Sequence, residues 1–327
     1  MTGIDLWNFI HKTISSDKKV VLLTVAESSN SSPGRQGFKM AVSEDAEMIG
    51  TIGGGIMEKD MIEYSLDLLF GNETKRIKRL HHTDKTKYEK SGLICGGYQI
   101  IVFSVIDKSH TGSIEKIISL SREKQNGELV ISPAGIEYNK IDTTNPVSFT
   151  YKSDDEWEYR ENIGLPLIAF IAGGGHVGLA VSRIMKSIGF YVIVFDHRED
   201  VFTIEQNEYA DEIIITKYEE IGNYIIEGER SYIIIVTPMH AGDKDTLKSV
   251  ICKNVKYIGM MGSKRKIKSI FDALREDGVD EKLFERIHTP IGIEIEAESP
   301  EEIAISIAAE VIKMKNSTLI EQIGTDQ

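Results

Sequence analysis

The chain has 327 residues, 41% hydrophobic and 27% charged, which suits two globular domains with sizeable cores and excludes wholesale disorder. Its 38 basic and 51 acidic residues give a net charge of −13, so nucleic acid and anionic membrane surfaces are poor main partners. A local basic patch still suits a small anionic cofactor. The two cysteines, Cys95 and Cys252, show no Cys-x-x-Cys pattern, which fits a reducing cytoplasm and argues against a disulfide framework or a structural zinc site. No signal peptide is visible and no stretch approaches the ~18 apolar residues of a membrane span. A soluble cytoplasmic protein with no membrane partner is expected.

In chain order, the first ~25 residues read as an amphipathic helix (Leu6, Phe9, Ile10, Ile14) and then a buried strand over 20–25. A polar, Pro/Gly-containing loop over 28–37 precedes strands over 38–42 and 47–52. Gly53-Gly54-Gly55 opens a helix over 56–70, followed by strands over 75–80 and 99–106. A helix over 114–122 and a strand over 128–132 follow, and the chain then turns polar. From 167 the alternation becomes regular: strands over 167–172, 191–195, 212–215, 232–236 and 257–259 separated by helices over 177–188, 218–226 and 243–252, then helices over 263–276 and 300–313. Apolar strands alternating with helices predict a parallel, doubly wound sheet. The fold class is therefore α/β, a C-terminal Rossmann-type parallel sheet with an N-terminal mixed α+β domain. The expected division is an N-terminal domain over 1–141, a connector over 142–165 with room for an edge hairpin, and a Rossmann-like domain over 166–327.

Gly173-Gly174-Gly175-His176-Val177-Gly178 sits between a strand and a helix, the context that gives a Gly-x-Gly-x-x-Gly pattern meaning. Gly173 permits the tight turn, Gly175 lets a phosphate approach, and Gly178 lets the helix pack close. The bland alternative is a βα turn and nothing more. Asp196 ends the next strand, placed to bind ribose hydroxyls, and Arg198 is either an anion contact or a solvated side chain. His176 contacts a ligand or caps its helix. His240 follows a strand at the sheet's carboxyl edge, a candidate ligand contact or proton donor.

Gly53, Gly54 and Gly55 form a second potential anion cradle, with Glu58 one turn in to complement the helix dipole and satisfy free amides. Their bland reading is again a strand-to-helix turn. Cys95 precedes Gly96-Gly97, which leaves its sulfur open to a ligand, whereas Cys252 reads as a packing residue. His81 and His82, adjacent on a strand, point to opposite faces and make a poor metal pair, so no protein metal site is expected.

These motifs together resemble the XdhC/CoxI family, accessory proteins that mature molybdenum hydroxylases such as xanthine dehydrogenase. The resemblance rests in front on Ser31-Ser32-Pro33, Gly37-Phe38-Lys39-Met40, 52–58 and Cys95-Gly96-Gly97. Behind, it rests on 173–178, Asp196-His197-Arg198, 257–266, Pro290-Ile291-Gly292 and 300–304. It implies a chaperone rather than a catalyst, one that binds molybdenum cofactor (molybdopterin or a dinucleotide form), supports its sulfuration and delivers it to an apo-molybdenum hydroxylase. A cysteine desulfurase is the second implied partner, and Cys95 the implied cofactor-handling thiol. A homodimer is the default assembly. Two departures stand out: Pro238 replaces the first histidine of a Thr-His-x-His element, and Gly34 follows Ser-Ser-Pro where arginine is usual, with Arg35 displaced by one. The alternative reading, carried by the 173–178 loop and Asp196, is an oxidoreductase using NAD(P).

Overall fold

The computed structural model describes residues 3–29, 32–82, 97–123, 125–141, 147–164 and 166–323. The chain folds as two compact units, Met1–Leu165 and Pro166–Gln327.

The first unit runs α1 (Gly3–Ser15), β1 (Val20–Ser28), β2 (Lys39–Ser43), β3 (Met48–Gly50), α2 (Gly55–Phe70), β4 (Ile77–His81), β5 (Tyr98–Ile106), α3 (Thr111–Glu123), β6 (Gly127–Ser132), β7 (Gly135–Lys140), β8 (Ser148–Ser153) and β9 (Glu156–Ile163). An antiparallel five-stranded sheet has the order β3-β2-β1-β5-β4, and a four-stranded sheet the order β7-β6-β9-β8. Strand alternation decides what lies on each face. Val21, Leu23, Val25, Ile101 and Phe103 meet Met57, Met61 and Leu68 of α2. Val20, Leu22, Ile100 and Val102 face α1, α3 and the second sheet, where Leu129, Ile131, Trp157 and Tyr159 fill the core. Helix α2 stops at Gly71, whose left-handed backbone (φ 81°) lets its N–H reach Asp67 O.

Within the stretch 142–165 the described residues form the hairpin that the connector had room for. It supplies β8 and β9, and β9 lies inside the second sheet, paired with both β6 and β8. In this polar stretch β9 places alternate residues inward, Trp157 and Tyr159 being buried. An ion pair ties this hairpin to β2: the Lys39 ammonium lies 2.6 Å from the Glu161 carboxylate, both side chains little exposed. Lys39 also donates to Gly37 O and sits over the Tyr159 ring, while the Tyr159 hydroxyl donates to Glu161.

The second unit runs β10 (Leu167–Ala172), α4 (His176–Ser187), β11 (Phe190–Asp196), α5 (Phe202–Glu205), β12 (Glu212–Ile215), β13 (Gly228–Ile235), α6 (His240–Val250), β14 (Val255–Met260), α7 (Lys264–Glu276), β15 (Ile287–His288) and α8 (Pro300–Ile323). Its six strands are parallel in the order β12-β11-β10-β13-β14-β15, the Rossmann order. Both faces are covered, which explains the continuous apolar runs. Phe170, Phe195, Ile233 and Ile258 pack towards α6 and α7, while Ile171, Val194, Ile234 and Tyr257 pack towards α4 and α8.

The 218–226 segment, expected as an α-helix, is a tight 3-10 run over Tyr218–Tyr224. Gly222 lies against α6 so closely that a Cβ would fall 2.3 Å from Ser249 O. Cys252, expected to pack, is exposed beyond the end of α6. No helix among the described residues is long and apolar enough to cross a membrane.

Candidate functional site

The strand order reverses between β10 and β13, and the loops leaving the carboxyl ends of such strands form the usual ligand crevice. The three fingerprint glycines have different reasons to be glycine. Gly173 has φ 115°, and a Cβ there would lie 2.5 Å from Val236 O at the end of the neighbouring strand. At Gly178 a Cβ would meet Gly173 O at 1.9 Å, so helix and turn touch through backbone. Gly175 is another matter, since a Cβ there meets nothing within 4 Å. Packing does not require that glycine, and it leaves open space over the first turn of α4. Gly175 is also the N-cap of α4 and gives no side-chain cap, so amides at the helix start remain available to an anion. His176 is exposed in the first position of α4 and caps nothing.

Asp196 has partners within the protein. Its side chain is fully buried, accepting the Gly174 N–H at 2.8 Å, the Arg198 N–H at 3.1 Å, and Arg198 Nε and Nη2 at 2.9 Å each. Burial alone would raise this carboxyl, but the Arg198 guanidinium and the two backbone amides hold it below the ordinary range. Asp196 thus pins the glycine loop from one side, while the Thr203 hydroxyl, donating to Gly174 O, pins it from the other. The carboxylate that the sequence suggests for ribose is engaged inside the protein, as is the arginine suggested for an anion.

A second buried carboxylate sits after β13. Asp243, on α6, accepts the Thr237 N–H and hydroxyl through one oxygen and pairs with Lys266 of α7 through the other. Burial pushes its carboxyl up despite these partners. Tyr218 packs close by: a Cβ on Gly242 would lie 2.8 Å from its ring. The Tyr218 phenol is pushed up by burial and by Asp196. His240, the first residue of α6, is exposed. Ser263 caps α7 by accepting the Lys266 N–H, placing Lys264, Arg265 and Lys266 in its first turn. Lys264 and Arg265 are exposed and make no ion pair with other described residues.

In the first unit Gly53, Gly54 and Gly55 all have positive φ (129°, 79° and 72°), a run only glycine tolerates. Glu58 does not cap the α2 amides. It accepts the Thr51 hydroxyl at 3.1 Å, and the Thr51 oxygen accepts the Gly53 N–H. The unusual Gly34 has a steric cause, because a Cβ would lie 2.1 Å from Ile52 O and 2.3 Å from Gln99 Nε2. Ser32 and His82, both buried, meet at 3.3 Å, and burial drives the His82 ring towards its neutral form. The His82 N–H donates to Gly97 O. Cys95 lies outside the described residues. Among the described residues no cluster of histidine, cysteine and carboxylate side chains is arranged to hold a metal ion.

Residues 169–311 match the XdhC Rossmann domain and residues 13–81 match the XdhC and CoxI family, together more than half of the chain. The chain belongs to the XdhC/CoxI family. It is 25% identical over 299 residues to YqeB, an uncharacterised protein of Escherichia coli (strain K12), covering 90% of this chain and 43% of that protein. It is 28% identical over 154 residues to a probable xanthine dehydrogenase subunit of Bacillus subtilis (strain 168), covering 47% of this chain and 44% of that protein. The matches span less than half the length of these curated relatives. A solved structure described as a xanthine dehydrogenase from Bacillus halodurans superposes with a TM-score of 0.74 at 21% identity, over 97% of this chain and 96% of that one. That likeness concerns the fold.

In this family member the second unit gathers Gly173, Gly175, His176, Gly178, Asp196, Arg198 and His240 at the carboxyl end of one sheet. Gly53, Gly54, Gly55 and Glu58 belong to the first unit. Sequence reasoning missed the Asp243–Lys266 pair, whose members lie 23 positions apart. The visible signal was a basic first turn in α7, an arrangement that opposes the helix dipole and so calls for a partner.

Proposed function

We propose that this chain is an accessory factor for a xanthine dehydrogenase-type molybdenum hydroxylase, holding molybdenum cofactor, a phosphorylated pterin, at the carboxyl end of its parallel sheet. The observation that carries the reading is the contrast within the loop: Gly175 leaves open space over uncapped α4 amides, while Asp196 is withheld from ribose by Arg198. A phosphate suits that arrangement, and a ribose-reading dinucleotide site does not. Arg265, in the first turn of α7, adds positive charge at the same end of the sheet. The Bacillus subtilis relative, named as part of a probable xanthine dehydrogenase, supports this choice of client.

In this reading the α4 amides hold the phosphate, Arg265 steers the anion, and the apo-hydroxylase receives the cargo. The bound cofactor supplies the molybdenum–sulfur chemistry of the receiving enzyme. Its sulfuration by a cysteine desulfurase, with Cys95 as the handling thiol, is the remaining part of the reading.

The test is gel filtration of the purified chain with isolated molybdenum cofactor, reading molybdenum and pterin in the protein peak. Co-elution that a Gly175→Asp variant loses supports the reading, and a wild-type peak free of both overturns it. Parallel titration with NADH tests the oxidoreductase alternative, which requires binding and hydride turnover. Cys95→Ala tests the thiol's part through activation of the apo-hydroxylase.

A further inference from the structure

Helix α7 is charged against the trend of the molecule. In a chain of net charge −13 it carries Lys264, Arg265, Lys266, Lys268 and Arg275 against Asp272 and Glu276, with no acidic residue in its first turn. Cations there face the positive end of the helix dipole, so they do not serve the helix itself. Lys266 is neutralised by buried Asp243, and Arg275 by Asp272 and Glu281. Lys264 and Lys268 make no ion pair with other described residues.

Those two lysines are one helical turn apart and share a face with Phe271. That stripe borders a groove of about 330 Å³, closed on the other side by Thr289 and Pro290. No carboxylate is among the described residues that line it. Its floor is fixed, because the Phe271 ring stacks on Phe284 with centroids 4.5 Å apart and the Thr289 hydroxyl donates to Met260 O. The volume lies at the small end of ligand pockets, room for one ring system and a phosphate, and too little for a docked helix.

We propose that this groove binds a mononucleotide-sized ligand, with the phosphate on Lys264 and Lys268 and a flat heteroaromatic ring against Phe271 and Pro290. The two ammonium groups, without an ion pair among the described residues, give the anion its partner, and the apolar floor gives the ring its own. The site is distinct from the 173–178 crevice and does not depend on what that crevice holds.

Calorimetric titration of the full chain with CMP, AMP, cytidine and inorganic phosphate tests the proposal. The monophosphates are expected to bind, with cytidine and inorganic phosphate each at least about tenfold weaker. The double variant Lys264→Gln, Lys268→Gln should weaken the monophosphates by about tenfold or more and leave cytidine unchanged. Phe271→Leu should bring the monophosphates down to inorganic phosphate, and Gly175→Asp should leave them untouched. The replaced lysines are exposed, so the double variant should keep the wild-type circular dichroism. Three results would overturn the site: no monophosphate binding at millimolar concentration, inorganic phosphate binding equally well, or binding that survives the double variant and fails in Gly175→Asp.

Discussion

Arg198 grips Asp196 through two parallel hydrogen bonds, Nε and Nη2 each donating at 2.9 Å to a carboxylate with no exposure to solvent. With the bond from the Gly174 N–H, that pairing makes the second strand's terminal acid a brace for the glycine loop. Arg198→Ala should leave a buried carboxylate with only backbone donors and cost about 2 kcal/mol in urea unfolding, the partial exposure of the guanidinium limiting the loss. The folded Asp196 carboxyl is held below its unfolded value. Its contribution is therefore complete above the ordinary carboxylate pKa of about 4 and is lost as the pH falls through the lower folded value. Asp196→Asn should accordingly flatten the acid limb of the stability curve.

Gly178→Ala and Gly175→Ala should part company. The first drives a Cβ to 1.9 Å from Gly173 O and should destabilise by about 3 kcal/mol. The second meets no atom within 4 Å and should leave the thermal midpoint near wild type while lowering affinity for the phosphorylated ligand. Equal destabilisation by both would mean that the loop is built for packing alone.

The Asp243 carboxyl carries the opposite pH signature. Burial raises its folded pKa, so its contribution is most favourable below the unfolded value and diminishes as the pH rises through the folded one. Lys266 offsets that loss at neutral pH. Lys266→Met should therefore cost about 3 kcal/mol at pH 7 and distinctly less at pH 5, measured by urea unfolding at each pH.

In the first unit, Lys39 and Glu161 should behave as one element. Either Lys39→Met or Glu161→Gln should lower stability by about 2 kcal/mol or more, and the double variant should cost much less than the sum. A double-mutant cycle giving no coupling would reduce the 2.6 Å pair to an incidental contact.

The regular strand–helix alternation after 167 was legible because both faces of the parallel sheet are buried, which leaves unbroken apolar runs such as Leu167–Ala172. The glycine loop was legible for a related reason, its neighbours in sequence being its neighbours in space. The hairpin within 142–165 was legible only in outline, since an antiparallel hairpin with one wet face writes only every second residue in apolar letters. Tyr218–Tyr224 read as an ordinary helix because the Gly222–Ser249 approach that accompanies its tight 3-10 form lies between elements distant in the chain.

By itself, then, the sequence determined the Rossmann-type unit, its glycine loop and the family, all of them matters of local periodicity and of residues close together along the chain. Tertiary structure alone decided what the charged residues do. Asp196 turned inward to Arg198 and Gly174, Asp243 took Lys266, and Lys39 took Glu161 across 122 positions. A buried charge must find its partner wherever the fold brings one, and sequence spacing does not record that meeting.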